Sequence, residues 1–452
     1  MKKIAMKKES FIIWGKVFGM AAVSAIVCML LLFLTGLIPK SAITQSCLES
    51  GEYFKNHELF PFLVEGRFNT RQDNYADCIL VNIMYHISGD DLGGSLIRAS
   101  YYNPEMESVE VSLWDSLKEE KEPNIDYFRY WHGGMVLLRP LFVFTGIEGA
   151  RLFLGAVLLI LTLAVFLLLW RQKAKALSVC YLLGNLIVQV WMCASCIEYI
   201  TTFLVMNVIS IISIFLFRGR KNTERLYRSV FLLMAASGVF TCFFDFLTTE
   251  TLAVTVPLLF LLVLRYEEGE LESFRKETGR MVVCGVIWGA SYGFMFVLKW
   301  LLAVGALGWQ ALGSALESAE YRISGTVYLG NTNLDPEASG IQRLTGAIFR
   351  NQGCLFPFRE EMQMGVVFWI CTGVLFLCIA VIYMFRAKNF SWEMISLCLL
   401  PGFVPYLRYM ALQSHAYQHY FFTYRAQLVT ATALLFITYE FGLKNLIKGK
   451  KT

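Results

Sequence analysis

Apolar residues gather in long runs near positions 17–38, 148–170, 177–196, 199–217, 229–244, 251–264, 281–304, 364–385, 393–412 and 426–443. At 1.5 Å of rise per helical residue, runs of this kind reach across a hydrocarbon layer of about 30 Å, and they predict about ten transmembrane helices. The first run follows Lys2, Lys3, Lys7 and Lys8 in the manner of a signal peptide. Its length and its want of a small-residue cleavage site make it a retained first helix. The fold class expected is an all-α polytopic membrane protein, one membrane domain over 1–452, with a long first outer loop that carries interfacial helices.

The polar stretches between the runs alternate in kind. Every second junction is short and basic: the N-terminus, Arg171/Lys173/Lys175, Arg218 to Arg228, Arg265 to Arg280, Arg386/Lys388 and Lys444 to Lys451. By the positive-inside rule these are cytoplasmic, which puts both termini inside. The other junctions face outward: long segments at 39–147 and 305–363, and short ones around Glu198, Asp245–Glu250 and Ser414–Arg425. The first outer segment should fold into short helices lying on the membrane, among them an amphipathic one over Asp73–His86. The stretch 133–146, broken by Pro140, suits a surface or partly re-entrant segment better than a span.

Composition sharpens this picture in three places. With 56% of 452 residues hydrophobic and 15% aromatic, the chain is too apolar to present a hydrated surface all round, so membrane lipids are its expected surroundings. Its net charge of +5 sits in the short junctions, where it orients helices and implies no nucleic acid partner. Most of the 12 cysteines, such as Cys28, Cys180 and Cys284, fall inside apolar runs as small core residues. Cys47 and Cys78 share the first outer segment, where a disulfide is open to them. Cys193 and Cys196 form a CxxC without a second ligand pair, which gives no metal site.

All five histidines, His57, His86, His132, His415 and His419, map to the outward side, and so do the acids of chemical interest. Asp73 and Asp77 share one face of DNYADCILVNIMYH, either as a solvated, N-capping face or as a catalytic base at the membrane surface. In RYWHGGMVLLRPL, His132 precedes a glycine pair. There, Arg139 either snorkels to headgroup phosphates or binds the phosphate of a lipid-linked substrate. Asp245 and Glu250 of FFDFLTTE form a cap turn or line a site. His415, His419, Tyr424 and Arg425 in SHAYQHYFFTYR belong to an interfacial aromatic belt or to the same site. HxxxH has metal-ligand spacing, but without an HExxH pattern or a third ligand no metal is assigned. The loop 305–363, with Arg322, Tyr328, Asn331, Asn333, Asp335, Arg343, Arg350 and Arg359, either closes over a site or is an ordinary outer loop.

The layout of one helix, a long first outer loop, a helical bundle and a late second outer loop resembles the GT-C superfamily of integral-membrane glycosyltransferases. The four quoted stretches also resemble segments of uncharacterised bacterial membrane proteins of that class. The resemblance implies a multi-pass protein of the bacterial cytoplasmic membrane that transfers sugar from a polyprenyl-phosphate donor to a glycan or lipid acceptor hydroxyl, with inversion, in cell-envelope polysaccharide biosynthesis. It implies no cofactor and no obligatory divalent metal. The family's acid would fall on Asp73 or Asp77. His132, Arg139, Asp245, Glu250, His415, His419, Tyr424 and Arg425 would bind substrate. The chain departs from the family in the distance between its first helix and that acid, and it lacks the acidic pair common there. Two other classes stay open: a lipid-linked oligosaccharide flippase or transporter, and a membrane acyltransferase or polysaccharide polymerase.

Overall fold

The computed structural model describes residues 2–219, 222–325, 340–355, 373 and 391–444, residues 2–11 as backbone only. Helix α1 (Lys2–Gly36) leads into a first loop holding α2 (Lys40–Lys55), α3 (Asn74–Tyr85), α4 (Leu92–Arg98), α5 (Val109–Glu119) and α6 (Met135–Leu141). Two short antiparallel strands, β1 (Ser100–Tyr101) and β2 (Ile125–Asp126), brace this loop. The bundle continues as α7 (Ile147–Arg171), α8 (Lys175–Ile187), α9 (Ile197–Arg218), α10 (Thr223–Phe244), α11 (Leu252–Glu267) and α12 (Phe274–Leu307). Then come α13 (Gln310–Ser324), α14 (Gly340–Leu355), α15 (Trp392–Ala411), α16 (Gln413–Gln418), α17 (Tyr420–Thr423) and α18 (Leu428–Ile437).

Among the described residues, seven helical stretches are long and apolar enough to cross a membrane: Ile12–Gly36, α7, α9, α10, α12, α15 and Tyr420–Leu443. The expected run 364–385 lies outside the described residues. Two other expected spans prove shorter. The run 177–196 breaks after the 13 residues of α8, where Gln189 turns left-handed at φ 52° and a 3-10 turn, Val190–Ser195, follows. The run 251–264 becomes α11, 16 residues with every position from Leu252 to Arg265 buried. A helix apolar on all sides belongs in the middle of a bundle, and α9, α10, α15 and α18 surround it. Pro257 cannot donate to the Ala253 carbonyl one turn earlier. The Ser237 hydroxyl of α10 donates to that oxygen instead, at 3.0 Å, so the break is satisfied by a neighbour rather than by water.

The first loop does fold into short helices. Helices α2, α3 and α5 pack on one another, and Cys47 and Cys78 are free, buried thiols rather than a disulfide. The amphipathic reading of Asp73–His86 is overturned: α3 is buried on nearly every side, its carboxylates included. Arg139 of α6 is buried as well, and its guanidinium donates to the carbonyls of Ile38, at 2.6 Å, and Met84, tying α6 to the end of α1 and the end of α3. Lys299 of α12 reaches the carbonyls of Leu96 and Ile97 at 3.3 and 2.8 Å and so holds the last turn of α4. The loop is therefore fastened to the bundle at several points, all at the end opposite the basic junctions.

Backbones in the bundle approach closely where side chains are missing. At Gly238 on α10 a Cβ would stand 2.3 Å from the Trp288 carbonyl oxygen of α12, whereas at Gly289 it would meet nothing within 4 Å. Gly238→Ala is expected to lower the stability of the protein in detergent by about 1–3 kcal/mol, through overpacking. Gly289→Ala should leave it within about 0.5 kcal/mol of wild type. Thermal unfolding followed by size-exclusion chromatography checks both.

Candidate functional site

The first turn of α9 gathers the acids. Its exposed N–H groups and positive end favour anions. Asp77 on α3 accepts the Ile197 N–H at 2.9 Å with one oxygen, and takes Arg151 of α7 on the other, at 2.8 Å from Nε and 2.7 Å from Nη2. Arg151 also donates to Asn74 at 3.0 Å. Asp77 is thus an internal ion pair with its oxygens engaged. Asp73, one turn earlier, caps α3 by accepting the Ala76 N–H at 2.9 Å and accepts the Tyr199 hydroxyl with its other oxygen. Burial pushes the Asp73 carboxyl above its ordinary range, and these two hydrogen bonds pull in the other direction. Asp245, just after α10, accepts from the hydroxyls of Thr202 and Thr248. Burial first, then the neighbouring Glu250, raises it to about 6.

A second cluster adjoins the first. The Tyr199 ring lies 4.5 Å from Phe422, which stacks on His419 at 5.2 Å, and His419 lies 4.6 Å from His415. Each histidine faces an arginine: Arg322 Nη1 is 3.1 Å from His419 Nε2, and Arg408 Nη2 is 3.3 Å from His415 Nδ1. A guanidinium only donates, so each of those ring nitrogens carries a lone pair and both imidazoles are neutral. Burial holds both well below the ordinary histidine value, and the neighbouring cations add to it. Arg408 is balanced by Glu250 at 2.9 Å and also donates to the Leu247 carbonyl. Leu247 sits in the left-handed region at φ 59°, a strained turn held between α10 and α11.

Arg322 has no such balance. Among the described residues no carboxylate pairs with it, and it stands in the wall of a cavity of about 360 Å³ between α12 and α13. Tyr130, Tyr292, Phe296, Trp300, Leu247 and Leu412 make the lining apolar, Arg129 is its other cation, and the exposed Val297 and Ile323 lie along it. The carboxylate of Glu198, half-buried in the first turn of α9, has no hydrogen bond or ion pair among the described residues. Burial pushes the phenols of Tyr75 and Tyr127 above their ordinary value, Asp73 adding to this at Tyr75 and Arg322 opposing it at both.

Of the residues expected from sequence, Asp73, Asp77, Asp245, Glu250, His415 and His419 come together here. Arg139 does not, since its donors are occupied elsewhere. His132 is buried in an aromatic layer with Tyr127, Tyr130 and Phe246, where its Nε2 donates to the Tyr127 carbonyl at 2.8 Å. Tyr424 and Arg425 are braces: the phenol reaches the Val188 carbonyl at 3.1 Å, and the guanidinium reaches the carbonyls of Phe421 and Asn69, both at 3.3 Å. From sequence, Arg151 and Tyr199 carry no role, Glu198 marks only an outward junction, Arg408 counts only as a charge near a helix end, and Arg322 is one of several polar residues in the loop 305–363. A charged residue within a turn or so of the end of an apolar run was the available signal, because it must find a partner. Among the described residues no three His, Cys, Asp or Glu side chains converge as metal ligands.

No protein-family model, no curated protein and no solved structure matches the chain.

Two outcomes are expected. Asp77→Asn should cost about 3–5 kcal/mol of stability by leaving Arg151 uncompensated. Asp73→Asn, which can still accept from Tyr199, should cost under about 1.5 kcal/mol. Denaturation of the purified variants separates the two. The histidines set a pH dependence. Because they are neutral when folded, the unfolded chain binds their protons first, and the stability they contribute is complete above pH 6.5 or so and is lost as pH falls below it. His415→Gln/His419→Gln should therefore gain on wild type by up to about 1.4 kcal/mol per pH unit per imidazole between pH 6.5 and 5. Asp73 and Asp245 titrate in both proteins and cancel in that difference.

Proposed function

We propose that the protein is a membrane glycosyltransferase of the GT-C type that transfers a sugar from a polyprenyl-phosphate donor to an acceptor hydroxyl in bacterial cell-envelope glycan synthesis. In this reading the basic junctions and both termini lie in the cytoplasm, and the site works at the outer surface of the cytoplasmic membrane. The observation that carries it is Arg322: a cation without a carboxylate partner among the described residues, set in the wall of an apolar cavity and in contact with His419. A lipid chain suits the aromatic lining, and the phosphate of that lipid supplies the charge that Arg322 and Arg129 lack. The leaving phosphate gains charge as the sugar departs, which a fixed guanidinium in a dry site stabilises. Of the two aspartates expected to act as base, Asp77 is spent on Arg151, which leaves Asp73, bound to the Tyr199 hydroxyl, as the candidate.

The alternatives draw less support. A transporter wants ionisable groups at mid-depth. Here the polar groups in the middle of the bundle are the neutral Tyr181, Asn207 and Thr162, while Arg151, Glu198 and Arg408 sit within about a turn of the helix ends. An acyltransferase of the kind considered wants a histidine deep in the bundle, whereas His415 and His419 belong to the short turns after α15.

The test is release of labelled sugar from undecaprenyl-phosphate-linked hexoses by the protein in liposomes that contain envelope glycan and lipid extracts. Turnover is expected, and Arg322→Ala should lower kcat/KM about ten- to a hundredfold, the loss of one charge-assisted contact of about 1.5–3 kcal/mol. A wild-type protein inert toward every such donor would remove this reading.

A further inference from the structure

The segment Thr70–Asn74 runs extended beside Leu59–Leu63. The Leu63 N–H donates to the Thr70 carbonyl at 3.1 Å, and the N–H groups of Gln72 and Asn74 donate to the carbonyls of Pro61 and Leu59 at 2.9 and 2.8 Å. Side chains two positions apart in an extended chain share a side, so Arg71 and Asp73 project from the same one, about 7 Å apart along the chain. Arg71 lies over the rings of Phe60 and Phe421, at 4.2 and 4.6 Å, in the corner they form at 83°. The exposed Tyr75 stacks on Phe60 at 5.9 Å and extends this aromatic floor. Among the described residues no carboxylate pairs with the Arg71 guanidinium, no acceptor takes a hydrogen bond from it, and its Nε is enclosed without a partner. Ring faces hold a cation in place but satisfy none of its N–H donors; an oxyanion does both. Arg71 is not part of the cavity wall in which Arg322 stands. Phe421 links the two, since it carries Arg71 on its face and lies 6.5 Å from His419, whose Nε2 meets Arg322.

From this placement we infer that Arg71 binds an oxyanion of the acceptor and so sets the acceptor class: a molecule with a carboxylate or phosphate about 7 Å from the hydroxyl it offers. The inference rests on the glycosyltransferase reading, in which the donor's lipid chain fills the cavity, its phosphate meets Arg322, and Asp73 takes the acceptor proton. A molecule that brings its hydroxyl to Asp73 passes Arg71 on the same side of the chain, and Tyr75 and Phe60 offer its sugar ring an aromatic face to lie on. A glycan and a lipid headgroup can both carry such an oxyanion, and the chemistry at Arg71 is the same for either. The structural alternative is that Arg71 fastens its loop through the ring contacts alone.

The experiment takes the protein in liposomes with labelled undecaprenyl-phosphate hexose and divides the envelope extract by anion exchange into neutral and anionic glycans and neutral and anionic lipids. Label is expected in an anionic fraction, and whether that fraction is glycan or lipid names the source of the oxyanion. Arg71→Gln should raise KM for that acceptor about ten- to a hundredfold, with kcat and the KM for the donor within about twofold of wild type, and Arg71→Lys should recover part of the loss. Neutralising the acceptor by methyl esterification should raise its KM on the wild type to the same degree, which keeps the contact testable where Arg71→Gln does not fold. A loop fastener would instead change stability and kcat whatever the charge of the acceptor. Wild-type turnover of neutral acceptors as efficient as that of anionic ones, or a rise in KM for the donor alone in Arg71→Gln, overturns the assignment and leaves the glycosyltransferase reading standing. A wild type that turns over no donor removes both.

Discussion

The structure depends on how one buried carboxylate is satisfied. Asp77 sits between Arg151 on α7 and the first N–H of α9, so a single side chain of the first loop fixes the relative height of two membrane helices. A charge in such a place is costly unless every lone pair is used. The arrangement uses a guanidinium, a helix N-terminus and, more weakly, the Cys196 thiol at 3.7 Å. The other acids follow from it. Once the head of α9 is set, Tyr199 falls opposite Asp73 and Thr202 falls opposite Asp245.

Most of the other polar pairings at this end also fasten loops to helices. Arg139, Lys299 and Trp131 all spend their donors on backbone carbonyls that a membrane environment would otherwise leave bare. This explains why several conspicuous polar residues of the sequence turn out to be structural. A buried arginine whose donors meet carbonyls keeps its charge but offers little to a ligand, whereas Arg322, resting on a neutral histidine, keeps its charge available. The distinction between the two kinds of arginine is what separates the scaffold from the candidate site.

The neutral histidine pair has a related effect. His415 and His419 accept from cations, so protonating either sets like charges against each other in a buried place. Neutral rings here let two guanidinium groups approach the same aromatic layer, one balanced by Glu250 and one free to meet an anion.

The sequence by itself determined that this is a helical protein built for lipid, because the apolar runs and the basic junctions are local patterns set by chain length and charge. It also placed Asp73, Asp77, Asp245, Glu250, His415 and His419 at one end of the bundle, since alternation of junctions is enough to say which loops share a side. Only the tertiary structure decided what each of them does. Tyr199 meets Asp73 across 126 positions, Arg408 meets Glu250 across 158, and Arg322 meets His419 across 97. No local pattern encodes such pairings. The same holds for α3, whose amphipathic spacing suggested a surface helix: periodicity records which face is apolar, but whether the polar face meets water or a buried arginine depends on what else packs there. The break after α8 and the burial of α11 have a common reason, since hydropathy measures how apolar a segment is and not whether lipid or protein surrounds it.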